Sequence, residues 1–163
     1  MSIFEPLVIE NWIYTTLQAD STLQGLLAAV NNKSPNYQIG VYSTMAPEKD
    51  PFSHRTPQTP YIVFSFSGSA QDDEQAMCGG SYTSRPMYSV NVWQSSNGSI
   101  SWSSIKSIAD RVDTLLQNQT VTQDGITFHS FRNDVNMPLT VQIDGKIDYA
   151  LSLLYTFTIS KAT

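Results

Sequence analysis

Two histidines, one cysteine and an acidic triplet are the groups through which this 163-residue chain could do covalent or metal chemistry. His54 stands beside Arg55 in a proline-rich stretch, and His129 lies in a strand-like one. They lack the spacing that puts two histidines on one helix face of a zinc protease. Each reads as a surface or structurally satisfied histidine. Asp72-Asp73-Glu74 offers three carboxylates without the Gly-bracketed alternation of a calcium loop, so it reads as a solvated acidic loop tip. Cys78-Gly79-Gly80 has no second cysteine and no neighbouring cation to hold a thiolate, which leaves a plain turn. Gly68, Gly79 and Gly80 are not followed by the Lys-Ser/Thr of a phosphate loop. Tyr88, Trp93 and the tyrosines near the C-terminal end are not interleaved with Lys or Arg, as a base-stacking surface would be, and read as core or interface aromatics. A catalytic site needs a nucleophile, an acid–base group or a metal held in geometry. No such set is legible, and the expectation is a protein that is not an enzyme and uses no cofactor or metal.

The elements around these residues follow from periodicity. The most strongly patterned stretch is Lys146 to Ser160. Ile147, Tyr149, Leu151, Leu153, Tyr155, Phe157 and Ile159 alternate with mostly small or polar residues, the signal of a half-buried strand. A strand of that length either crosses a large curved sheet or projects to meet a neighbour. Asp144-Gly145 before it is a hairpin turn signal. The opposite row, with Ser152, Thr156 and Thr158, is expected to face water or another subunit.

At the other end, Pro6 suits a first helical turn, and Ile9, Trp12, Ile13 and Leu17 recur at helical spacing. Ser21 with Gln24 makes a capping box for a second helix, whose stripe is Leu23, Leu26, Leu27 and Val30. Ile39–Tyr42 can form a short strand; Tyr61–Ser67 and Met87–Trp93 are stronger ones. Trp102, Ile105, Ile108, Ala109, Val112, Leu115 and Leu116 describe a third helix. Thr120–Phe131 reads as strand–turn–strand around Asp124-Gly125. Loops are expected at 43–60, with four prolines, at 68–81, and at 132–145, the last with a short strand at Leu139–Ile143. The order α-α-β-β-β-α-β-β, with the terminal strand last, implies an α+β fold: a mostly antiparallel sheet with helices packed on one face, and one domain over residues 1–163.

Composition narrows the partners. Forty per cent of residues are hydrophobic, only 14% are charged, and the net charge is −5. The isoelectric point near 4.7 excludes a basic nucleic-acid clamp. It does not exclude a protein past which DNA slides unheld. One cysteine excludes an internal disulfide framework. The start Met-Ser-Ile-Phe-Glu-Pro lacks a basic signal region and no apolar run reaches membrane-spanning length, so a soluble protein made in a cytoplasm is expected.

Trp12-Ile-Tyr-Thr-Thr-Leu-Gln-Ala-Asp-Ser-Thr-Leu-Gln-Gly-Leu-Leu27 resembles the opening helix pair of the tail terminator (tail-completion) proteins of long-tailed bacteriophages. The proline-containing loop into Pro60-Tyr-Ile-Val-Phe-Ser65, the acidic loop, Tyr88-Ser-Val-Asn-Val-Trp93, the third helix and the closing hairpin follow in the same order. The likeness covers nearly the whole chain as pattern and spacing. The 43–60 loop and the last strand are long for the family, which keeps a related head–tail stopper or adaptor of the neck as an alternative.

The resemblance implies a virion protein that forms a ring, usually of six copies, on the head-proximal end of the tail tube. Such a ring would end tube growth and join the tube protein to a neck or head-completion protein, while DNA passes through its lumen; no membrane is involved. Contacts to partners are expected at loops 43–59, 68–81 and 132–145, and at Asp72, Asp73, Glu74, Arg85, Arg132, Asp134, Ser152 and Thr156. The rival classes are a non-enzymatic binding module for a small molecule or carbohydrate, and an enzyme whose site would cluster His54, His129 and acidic side chains.

Overall fold

The computed structural model describes residues 4–29, 40–46, 59–71, 84–95, 102–143 and 146–160. Helix α1 (Phe4–Ala19) turns directly into α2 (Ser21–Ala29). Strands β1 (Val41–Ser43), β2 (Tyr61–Gln71) and β3 (Ser84–Ser95) follow, then helix α3 (Trp102–Leu116) and strands β4 (Thr120–Gln123), β5 (Ile126–Ile143) and β6 (Lys146–Ser160). The strands form one six-stranded sheet in the order β1-β2-β3-β6-β5-β4. Only the β1–β2 pair is parallel. The expected α+β class is what the structure shows: a curled, half-barrel sheet with helices on one face.

The long last strand crosses the sheet; it does not project from it. β3 pairs with it from Asp148 to Thr156 and β5 along its whole length, so β6 is central. Its odd-numbered row is the inner one. Leu153, Tyr155, Phe157 and Ile159 are buried with Ile62 and Phe64 of β2 and Tyr88, Val90 and Val92 of β3. Against them lie Ile9, Ile13 and Leu17 of α1, Leu23 and Leu27 of α2, and Ile105, Ile108, Val112 and Leu116 of α3. Trp12 of α1 meets Phe128 and Phe157 edge-on, with centroids 5.4 and 6.0 Å away, and Phe157 meets Tyr88 in the same manner at 5.6 Å. Edge-to-face contacts of this kind add roughly 0.5–1.5 kcal/mol each beyond the area they bury.

Local chemistry sets the element ends. Asp124 and Gly125 both take positive φ, +51° and +75°, in the β4–β5 turn expected there. Asn118, at φ +55°, ends α3 in the left-handed conformation that Asn tolerates. Below it, the buried Ser130 hydroxyl donates to the Leu116 carbonyl and accepts from Gln119 N–H at 3.2 Å, which satisfies the open end of α3 from the sheet.

Three expectations are corrected. The cap of α2 is Asp20, one residue before Ser21: its Oδ1 accepts Leu23 N–H at 2.6 Å. The expected loop at 132–145 is strand as far as Ile143. A bulge between Asn133 and Asn136 absorbs the polar run, and Pro138 pairs with Leu151 with no strand on its other side among the described residues. An edge is where a missing N–H breaks no ladder bond. Likewise β2 continues through the expected loop start to Gln71. Third, Ser152 and Thr156 are only 8% and 7% exposed. They belong to the outer row as alternation requires, but as small side chains on a central strand they are shaded from both sides. Ser152 lies between Asn91 and Met137 in the register, and Thr156 between Met87 and Phe131. The Thr156 hydroxyl donates to Asn133 Oδ1 at 3.0 Å.

The face assignment has a direct check. Leu153→Ala should lower stability by about 2–5 kcal/mol, as a buried truncation does, whereas Thr158→Ala in the outer row should stay within about 0.5 kcal/mol. Urea midpoints that do not separate the two variants would show the faces reversed.

Candidate functional site

Among the described residues the helix face of the sheet is not covered to its end. Past the N-terminal turn of α3 a groove opens between that helix and the β5–β6 hairpin. It holds about 460 Å³ and is lined by Trp102, Lys106, Ala109 and Asp110 of α3 and by Arg132, Pro138, Leu151 and Leu153 of the hairpin. Ala109 and Leu153 are buried and form its floor; Trp102 stands 49% exposed at its wall, its indole edge-on to Tyr149 with centroids 5.4 Å apart. The helical stripe Ile105, Ile108, Ala109, Val112 and Leu116 is buried. Trp102 extends that stripe by one turn beyond what the sheet covers.

One carboxylate fixes the groove's deep side. Asp113 Oδ2 accepts from Arg132 Nη1 at 2.7 Å, and Asp113 Oδ1 from the Tyr155 hydroxyl at 3.0 Å. Burial pushes the Tyr155 phenol above the ordinary tyrosine range, and the neighbouring Asp113 charge adds to that shift. Tyr155 is therefore a neutral donor at any physiological pH, and α3 is pinned to β5 and β6 by charge-assisted bonds. On the far side of α3, Arg111 Nε and Nη2 donate to Asp20 at 3.0 and 2.5 Å, joining the α1–α2 corner to α3.

The residues expected to carry contacts are dispersed. Arg132 lines the groove and is committed to Asp113, so it is not an open surface group. Arg85 is half-buried on β3, opposite Ala70 and in the outer row. Ser152 and Thr156 are buried in that row. Asp134 sits within the β5 bulge, where its side chain lies outside the described residues, as do Asp72, Asp73 and Glu74 altogether. His129 is exposed on β5, with Thr120 Oγ1 2.9 Å from its Nδ1 across the β4–β5 ladder. His54 lies outside the described residues. Among the described residues no group of three or more His, Cys, Asp or Glu side chains could hold a metal ion, and no helix is long and apolar enough to cross a membrane. The groove itself was missed in sequence. Its one signal was an apolar stripe on α3 that begins a turn earlier than the sheet can cover.

No protein-family model matches the chain, and no curated protein matches it. Among solved structures, a chain of the virion of a native gene transfer agent particle has a similar fold, with a TM-score of 0.52. Its sequence identity is 15%, over 90% of this chain and 91% of that one. At that identity the likeness is one of fold.

Asp20 gives a pH test. The Arg111 hydrogen bond, followed by the Leu23 and Thr22 N–H groups, outweighs burial and holds its carboxyl below the ordinary aspartate range. A depressed folded-state pKa contributes stability that is present above the unfolded value and is lost as pH falls through the folded one. Asp20→Asn keeps a capping side chain but removes the charge. Its destabilisation relative to wild type should be constant near neutrality and shrink from about pH 4 downward. A difference independent of pH would assign the effect to packing.

Proposed function

We propose that this protein is a phage-like virion structural protein, and specifically a tail terminator. In this reading it forms a ring, most simply of six copies, on the head-proximal end of the tail tube. The ring ends tube growth and presents a surface to a neck or head-completion protein. It has no catalytic role and needs no cofactor. The observation that carries the reading is the end-to-end fold likeness to a virion particle chain, over 90% of this sequence. The element order of the tail terminator family supports it further.

Surface chemistry is compatible with DNA transit. Six copies at −5 each sum to −30, and a lumen of that sign repels phosphates and does not trap them. The outer face of the sheet is rich in hydroxyls and amides that bond to one another across the strands. Ser65 and Ser89 hydroxyls are 3.0 Å apart and those of Thr122 and Thr127 2.9 Å apart. Groups satisfied in this way have little to offer a passing backbone. The alternative of a neck stopper or adaptor draws on the same likeness, which is to a virion chain and to no particular position within a virion.

The two roles differ in what happens without the protein. In the virus that encodes it, loss should yield DNA-filled heads beside unjoined tubes of irregular length, seen by electron microscopy. Added pure protein should restore joining and appear as a ring at one tube end. Tubes of normal length that merely fail to join would overturn termination in favour of a neck connector.

A further inference from the structure

We propose that the groove beside Trp102 is one half of a head-to-tail joint between copies of this chain, whose other half is the cleft of Leu7, Val8, Asn11, Asp124 and Ile126. The proposal rests on the ring reading above and names the surfaces that would close the ring. The cleft holds about 450 Å³, close to the groove's 460 Å³. Each has a large apolar side chain standing free at its wall: Leu7 is 57% exposed and Trp102 49%.

The two surfaces cannot meet within one molecule. Ile126 and Pro138 lie on the same strand. Thr127 pairs with Ser160 and Pro138 with Leu151, nine residues apart along β6 (160 − 151), or roughly 30 Å at ~3.4 Å per residue. Two different patches at opposite ends of a subunit make a heterologous contact, which repeats from copy to copy and closes when the rotation permits. A matched two-fold pair would need one patch facing itself.

Their polar groups also match. Among the described residues Asp124 is the only charged one lining the cleft. On the groove, Arg132 is occupied by Asp113, which leaves the exposed Lys106 as the cation with no ion pair among the described residues. In the proposed joint Leu7 seats over Ala109 and Leu153, Lys106 pairs with Asp124, and the Asn11 amide donates to Asp110. A Trp beside an apolar floor with a charged rim has the composition of an interface hot spot.

The experiment is disulfide trapping. In a Cys78→Ser background, Leu7→Cys and Ala109→Cys together, the pair the joint brings into contact, should give a ladder of covalent oligomers on oxidation. The ladder should end at the ring size read by light scattering on the same sample, and neither single cysteine should give one. Trp102→Ala should weaken assembly about tenfold or more, while its urea midpoint falls no further than that of Tyr149→Ala, which removes the same edge contact. Asp124→Asn, which tolerates the positive φ, should make assembly less sensitive to salt. Oligomers that form without any covalent ladder overturn this joint and leave the ring reading intact. A protein that stays monomeric at every concentration and on tail tubes overturns both.

Discussion

The inner row of β6 is the surface on which the rest of the molecule depends. Leu153, Tyr155, Phe157 and Ile159 are at most 2% exposed, and every helix and every long strand contributes to the core that covers them. Apolar burial, at roughly 25 cal/mol per Å², is non-directional and cannot by itself choose how the helices lie on that row. Polar ties make the choice. Asp113 holds α3 to Tyr155 and Arg132. Ser130 closes the C-terminal end of the same helix, three residues further on. Tyr88 donates to the Pro6 carbonyl at 3.0 Å and sets the start of α1.

Much of this was legible in the sequence. Strict alternation identified β6 and its inner row, and i, i+3, i+4 stripes identified the helices, because both patterns are imposed by burial on one side only. The β4–β5 turn was legible because few residues besides Asp-Gly accept two positive φ angles in succession. What failed to show depends on partners distant in the chain. Asp20 and Ser21 are equally good caps, and only Arg111, 91 residues away, shows which carboxylate is held in place. Arg-Asn-Asp-Val-Asn-Met-Pro has the composition of a loop, yet it is strand because one-sided pairing and a bulge tolerate it. Alternation says which row of β6 is apolar. It says nothing about how deeply Ser152 and Thr156 sink between neighbours supplied by β3 and β5.

The candidate site was less visible than the fold for a related reason. Titratable side chains announce chemistry by type, whereas a docking surface is made of ordinary residues left uncovered. Trp102 counted as one more core position until the extent of the sheet beneath α3 was known. Arg132, one of the charged residues that attracted attention in sequence, serves the interior by holding Asp113. Arg and Asp in a low-charge chain are as readily spent on fixing a helix as on meeting a partner.

β6 follows both of its neighbours in sequence, yet it lies between them. Until residues 146–160 enter, β1-β2-β3 and β4-β5 are separate pieces with no hydrogen bond joining them across the sheet. The ladder that joins them pairs Tyr88 with Tyr155 and Val90 with Leu153, contacts so remote in sequence that loop closure makes them slow to form. Folding is thus gated on the arrival of one segment, and both the floor of the groove and the seat of α1 come into being at that step. A chain that has not yet closed its sheet therefore has neither surface to offer.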